Sequence, residues 1–548
     1  MKRTALFIIL FLAALSGAAQ GHLSERVYVS TDKDVYVSGD ELFLSAFCID
    51  MSTGKLSGTN RTAYVEIISP DGPVQTAKLA LDGGRGGGAI RLLNTIPTGN
   101  YQIVAYTAQC FNEEGYDFGE NARTVSIINP FTTDRASSGV EILSDEAYAE
   151  LEAPDRPAAG SLRVTAAGGV LTLTNTSDAP VTASVSIYHD DGILSPSGST
   201  PATFLESVTR GTAFTGRRTI DYEGETVRVR VADAAPEDLD LIKGSTAFLS
   251  IPGRSSDFYS AILGDDGTGT FYTRNIYGDS EAVLELGGIF SSGHLEIISP
   301  FAQATASGLE TLPLCEGLKD KILARSVSMQ VRQALRSDTL YARLATPEDH
   351  IFPSDSAVYI LDDYTRFPLM EELFIEFISE IRIRREGKAR LISVNVNDTF
   401  KPGSNPLFPA MILLDGVPVP EHEKIFDYDP LLVERVVIYP HTFNIGSRSY
   451  SGIINFVTYK HDLPSFSFGK NSRVVDFQGV SRPVVSYLPD PGVEDVRQTV
   501  FWHPLVDIAP GESRTFDYRL PSYQGDFTVV AEGFDAEGRP QYARGEAH

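Results

Sequence analysis

The chain has 548 residues, room for several domains, with 72 acidic against 46 basic side chains and a formal net charge of −26. A surface this negative repels phosphate backbones and anionic lipid, which argues against nucleic-acid and membrane-surface binding. With 30 Phe and 23 Tyr for cores the chain is not a disordered one, and 47 Gly with 31 Pro point to many short strands joined by turns.

Lys2 and Arg3 precede an apolar run from Ala5 to Leu15, and Ser16-Gly17-Ala18-Ala19 supplies small residues for cleavage. That is the pattern of a secretory signal peptide over residues 1–19. The run is shorter than the roughly 20 residues a membrane-spanning helix needs. No Cys follows it to carry a lipid, and no later segment reaches spanning length. The mature protein is therefore expected to be exported and soluble, or held at a membrane only through partners. Three Cys cannot make a disulfide scaffold. Cys48 and Cys110 fall in one expected domain and could pair; the alternative is three small buried side chains, Cys315 included.

Residues 26–130 read as strands. Val27, Val29, Val35 and Val37 alternate with other side chains, as do Leu42, Leu44, Ala46 and Cys48, the period of a half-buried strand. Tyr64–Ile68 is stopped by the turn Pro70-Asp71-Gly72, and Pro97-Thr98-Gly99-Asn100 turns into Tyr101–Tyr106. Gly83–Gly88 lacks the Lys of a phosphate-binding loop and reads as a flexible hairpin loop. The segment Ser30-Thr31-Asp32-Lys33-Asp34-Val35-Tyr36-Val37-Ser38-Gly39-Asp40 resembles the opening of the second macroglobulin-type domain of α2-macroglobulins, with Ser38 where that family usually has Pro. The resemblance implies a β-sandwich over about 100 residues.

Residues 131–160, rich in Ser, Ala, Glu and Pro, read as a linker. A second β region, of one or two sandwich units, is expected over 161–305, with clean alternation in Val181–Tyr188 and Thr226–Val231. Within 309–348, Leu318, Ile322, Val327, Val331 and Leu335 recur at helical spacing and predict a packing helix near 314–336 that bridges two domains.

Residues 357–462 hold a short amphipathic helix at Met370–Ile378, then Met411–Leu414 followed by Asp415-Gly416-Val417, where a type I′ turn needs positive φ. The strand containing Glu434 and Arg435 comes next, then Gly446, Gly452 and a strand containing Asn455. These ordered motifs resemble the plug domain of TonB-dependent outer-membrane receptors. Only 88 residues follow Lys460, whereas a 22-stranded barrel of ~10-residue strands needs well over 200. The protein is thus not expected to be a self-contained transporter. Residues 485–548 return to strands, and their Trp502-His503-Pro504 strand and the run Phe527-Thr528-Val529-Val530-Ala531-Glu532-Gly533 again resemble a macroglobulin-type module. Trp502 reads as a core anchor.

No His-Glu-x-x-His, Gly-x-Ser-x-Gly or Walker-type motif occurs, nor the Cys-Gly-Glu-Gln of thioester macroglobulins. Asp32, Asp34, Asp190-Asp191-Gly192 and Asp265-Asp266-Gly267 could hold calcium but lack EF-hand spacing, and turn chemistry accounts for the Asp-Asp-Gly pairs without an ion. The expected fold is mainly β: tandem macroglobulin- or immunoglobulin-like sandwiches with one small α+β plug-like domain. The module order is similar to that of large exported proteins of Bacteroidota. The expected role is a non-enzymatic binding or scaffold protein of a Gram-negative envelope, without cofactor. Its partner would be a protein of the periplasm or outer membrane, a separate β-barrel receptor included. Asp415, Gly416, Glu434, Arg435, Gly446, Gly452 and Asn455 are expected to shape the plug-like unit rather than to catalyse.

Overall fold

The computed structural model describes residues 23–548 except 120–121, 209–212, 217, 254–256, 275, 335–340, 346–355, 388, 397–407, 490–494, 522 and 524. The expected signal peptide lies outside the described residues. Strands hold 47% and helices 13%, so the protein is mainly β. The chain divides into two compact units. The first comprises Met1–Tyr222, Phe301–Leu344 and Val480–His548; the second comprises Glu223–Pro300 and Ala345–Gly479.

The first unit begins with a two-sheet sandwich. One sheet joins Glu25–Thr31, Glu41–Asp50, Lys55–Leu56 and Arg85–Arg91; the other joins Val35–Val37, Arg123–Ile128, Gly99–Tyr106, Thr62–Ser69 and Gly72–Ala80. The alternation read from sequence supplies the core. Val27, Val29, Leu42, Leu44, Ala46 and Cys48 face Val65, Ile67, Ile103, Val125 and Ile127, each large side chain contributing about 1.5–3 kcal/mol on burial. The opposite face of the first sheet is covered as well: Tyr28, Phe47 and Ile49 pack with Phe204 and Phe534. Phe43 stacks 6.0 Å from Trp502, which is buried as an anchor. Cys48, Cys110 and Cys315 are free thiols, so the first two do not pair.

The glycine run is not a flexible loop. Arg85–Arg91 is a strand, and a Cβ at Gly86 would lie 2.2 Å from the Ala80 carbonyl oxygen, at Gly87 2.4 Å from the Pro504 Cβ, and at Gly88 2.5 Å from Leu79 Cδ2. The glycines are there because neighbouring chain comes too close for side chains.

A second sandwich in this unit departs from the boundaries expected from sequence. Its seven strands run in the order Thr499–Ile508, Val181–Asp190, Asp526–Asp535, Pro540–Ala547, Leu162–Ala167, Val170–Asn175, Ser513–Asp517. The two halves enclose one core containing Leu171, Leu173, Val185, Ile187, Val529 and Ala531. Residues 485–548 are therefore not a separate module: Val181–Asp190, from the region expected as 161–305, lies between their strands Thr499–Ile508 and Asp526–Asp535. The expected linker 131–160 also has structure, since Val140–Leu143 pairs in parallel with Leu312–Cys315.

The helix forms at Lys319–Ala334; Leu318 and Ile322 of the expected apolar face pack in a core, but further along the buried face turns to other residues. Val327 is 51% exposed, while Arg325, Met329 and Arg332 are buried. Arg325 forks onto Asp191 at 2.6 and 2.9 Å, and Arg332 meets Asp40 at 2.5 Å. Buried charges are tolerated when paired in this way, and the helix bridges the two sandwiches through its arginines. Leu335 lies outside the described residues.

The second unit has its own sandwich, so the region expected as one or two sandwich units over 161–305 is divided between the two units. A sheet of Thr268–Tyr272, Thr226–Ala232 and His294–Ile297 faces one of Asp257–Ile262, Thr246–Ile251, Ser280–Leu286 and Ser472–Phe477. Val227, Val229, Phe271 and Leu295 meet Leu249, Ile251, Leu284 and Leu286 between them. Beside it lies a five-stranded sheet in the order Ala357–Ile360, Val433–Ile445, Arg448–Thr458, Met411–Leu414, Val417–Pro418. One face holds a core with the helix Met370–Glu376 and the hairpin Ile381–Glu386/Ala389–Val394, through Leu373, Phe374, Ile381 and Ile392. On the other face Met411, Leu413 and Ile453 pack against Phe248 and Phe258 of the sandwich.

Candidate functional site

The motif residues of the second unit fall into one cluster and three separate positions. Asp415 and Gly416 have φ of 48° and 82°, the left-handed pair a type I′ hairpin requires. The Asp415 N–H donates to Phe456 O at 2.8 Å, and the Gly416 N–H to Asn455 Oδ1 at 3.1 Å. The Asp415 carboxylate, 2% exposed, accepts from the Thr458 N–H and hydroxyl, each at 2.7 Å, and from the Leu463 N–H at 3.0 Å. Asp415, Gly416 and Asn455 thus rivet a tight turn to the neighbouring strand. Thr458, which sequence reading did not single out, completes the cluster; a Thr in a strand carries no signal of that role.

Gly452, at φ 87°, has no room for a Cβ, which would lie 2.4 Å from Val394 Cβ on the overlying hairpin. Gly446, at φ 59°, turns the Val433–Ile445/Arg448–Thr458 hairpin against Thr246 of the sandwich, whose hydroxyl accepts from the Ser447 N–H at 2.9 Å. Glu434 and Arg435 pair with each other at 3.1 Å on the half-exposed start of their strand, away from the turn.

In the first unit, the Asp32–Tyr36 segment is a knot of buried charge. Asp32 accepts from the Tyr36 hydroxyl at 2.7 Å, the Phe43 N–H at 3.1 Å, Lys33 Nζ at 3.0 Å and the Thr499 hydroxyl. Lys33 also reaches Asp40 at 3.3 Å and lies over the Tyr36 ring. Asp34 binds Arg123 at 3.0 Å and Arg156 at 2.5 Å, and Arg123 continues to Glu532 at 2.9 Å. Burial acts to raise the Asp34 pKa, but the guanidiniums of Arg156 and Arg123 overcome it and hold the carboxyl down at about 2. Arg156, from the segment read as a linker, is therefore part of what joins the two sandwiches.

The acidic turns have local uses. Asp190 accepts from the Gly192 N–H at 3.1 Å, Asp191 pairs with Arg325, and Asp266 accepts from the Thr268 N–H at 3.0 Å. Among the described residues no group of three or more His, Cys, Asp or Glu side chains is arranged to hold a metal ion. No helix among them is long and apolar enough to cross a membrane.

No protein-family model and no curated protein matches the chain. Among solved structures, trypsin-activated α2-macroglobulin from Escherichia coli aligns at 9% identity over 96% of this chain and 41% of that chain, with a TM-score of 0.22. A Salmonella α2-macroglobulin mutant aligns at 11% identity over 97% and 40%, with a TM-score of 0.23. A tetra-tandem repeat from the extending region of a large adhesion protein aligns at 10% identity over 96% and 99%, with a TM-score of 0.12. The chain thus spans about two fifths of the length of those macroglobulins. Scores of this size do not establish a shared fold.

Proposed function

We propose that this is an exported, non-enzymatic binding or scaffold protein of a Gram-negative cell envelope, built from macroglobulin-like modules and a plug-like unit, which engages a protein partner in the periplasm or outer membrane. The observation that carries the reading is the strand Ala357–Ile360. Among the described residues it is the outermost strand of its sheet, with Val358 53% and Ile360 48% exposed, side by side on one face. An open edge with apolar side chains is a template for a partner's strand, with main-chain hydrogen bonds for affinity. Photo-crosslinkers at positions 358 and 360 in intact cells should capture one envelope protein, and Val358→Lys should abolish the adduct. A chain that captures nothing specific overturns the reading. Screening the purified protein against glycans and peptides tests the non-enzymatic part, with turnover as the contrary result.

A second reading is an accessory role in TonB-dependent uptake, the plug-like unit docking on a separate barrel. It draws on the adjacency in one sheet of the three strands that carry the plug-like motifs. Deleting residues 357–462 separates the two readings: lost nutrient uptake with an intact envelope favours transport, whereas general envelope defects favour scaffolding.

A further inference from the structure

At the end of the Met411–Leu414/Val417–Pro418 hairpin away from its turn is a cavity of about 210 Å³, walled by Phe248, Leu391, Met411, Pro418, Val419 and Tyr450. An apolar cavity of ~150 Å³ is known to admit a benzene ring, so this one has room for a phenyl group or a branched aliphatic chain. Its polar groups are few and mostly occupied. His422 is held neutral at physiological pH: burial draws its pKa down to about 4, and its Nδ1 accepts the Ile392 N–H at 2.9 Å. The Ser449 hydroxyl donates to Asn444 Oδ1 at 2.7 Å.

Arg448, which also lines the cavity, differs. Its side chain is exposed, and no carboxylate among the described residues pairs with it. The nearby carboxylates are engaged elsewhere, Glu421 with Lys424 at 3.6 Å and Glu423 with Arg390 at 2.5 Å. Its backbone follows Gly446 and Ser447, which are anchored on Thr246.

We infer that this cavity is a binding site for a small apolar carboxylate, the hydrocarbon seated among Phe248, Leu391 and Val419 and the carboxylate taken by Arg448. A guanidinium's paired N–H groups match the planar carboxylate, and the apolar walls take the hydrocarbon. The site is independent of the partner-binding strand, which lies at the opposite edge of the sheet.

Calorimetric titration of the full chain with 3-phenylpropanoate tests it, with 3-phenylpropan-1-ol as the neutral counterpart. The acid should bind once per chain and at least about tenfold more tightly than the alcohol, the size of one charge-assisted contact. Arg448→Gln, an exposed change that spares the core, should reduce the acid to the affinity of the alcohol. Leu391→Trp should fill the cavity and weaken both, and if it melts early Arg448→Gln alone decides. Equal binding of acid and alcohol, an Arg448→Gln chain that binds the acid unchanged, or no binding of the acid overturns the inference. So does a peptide ending in Phe that binds where the free acid does not.

Discussion

The Asp415 carboxylate takes both the backbone N–H and the hydroxyl of Thr458, each at 2.7 Å. One buried side chain thereby ties the Asp-Gly turn to the end of the adjacent strand, and a third bond from Leu463 draws in the chain that leaves the sheet. Asp415→Ala removes these acceptors and leaves a side chain poorly suited to φ 48°. It should destabilise the second unit by about 3 kcal/mol. Asp415→Asn, which tolerates the left-handed backbone and keeps one acceptor, should cost less. Urea unfolding with limited proteolysis of residues 411–463 measures the difference.

Asp34 contributes acid sensitivity to the first unit. Its folded pKa of about 2 lies below the ordinary carboxyl value of 3.8. The unfolded chain therefore binds the proton first, and stability is present above about pH 4 and lost as pH falls towards 2. The loss should be about 2 kcal/mol. Asp34→Asn should flatten the urea midpoint between pH 4 and pH 2.5, at a lower overall stability because Arg123 and Arg156 lose a partner. An unchanged slope would show that other carboxyls carry the acid response.

Glu285 acts with the opposite sign. Burial, with a smaller push from Glu421, lifts its pKa to about 7, although the Ser472 hydroxyl and the Lys424 charge oppose the shift. The native state then holds a proton that the unfolded state has released, so the second unit loses stability as pH rises from about 4.5 to 7. Glu285→Gln should remove that slope and raise stability at pH 8 by about 3 kcal/mol. Thermal melts across pH 4–8 on wild type and variant give the comparison.

Gly87→Val tests the reading of the glycine run. If Gly86–Gly88 were a loose loop, the change would be nearly neutral. With a Cβ placed 2.4 Å from Pro504, it should instead cost about 2 kcal/mol or more as the strand is forced away from its neighbour. Gly87→Ala should cost less, and the order of the two melting temperatures decides.

Much of the local structure was readable in advance. Val27, Val29, Leu42 and Leu44 face the first core as their alternation indicates, and Asp415-Gly416 adopts the turn its residue types demand. The helix was readable as a helix, but its buried face only in part. Leu318 and Ile322 pack as their spacing indicates, but beyond them the pairing of Arg325 with Asp191 and Arg332 with Asp40 sets the buried face and leaves Val327 exposed, and neither carboxylate is near in sequence. In the candidate site, Asn455 and Gly416 were legible as motif residues, but Thr458 gained its role only from what lies across the sheet.

The sequence by itself determined strand and turn identity, because side-chain period and left-handed turn residues act over two to four neighbours. Only the tertiary structure decided which strands share a sheet. Ser186 pairs with both Trp502 and Val530, joining the expected second region to the expected C-terminal module. Backbone hydrogen bonds are nearly the same for every residue type, so a strand's sequence says which of its faces is buried but not which strand lies alongside. That choice is made by the whole set of matching faces and paired charges when the chain closes on itself.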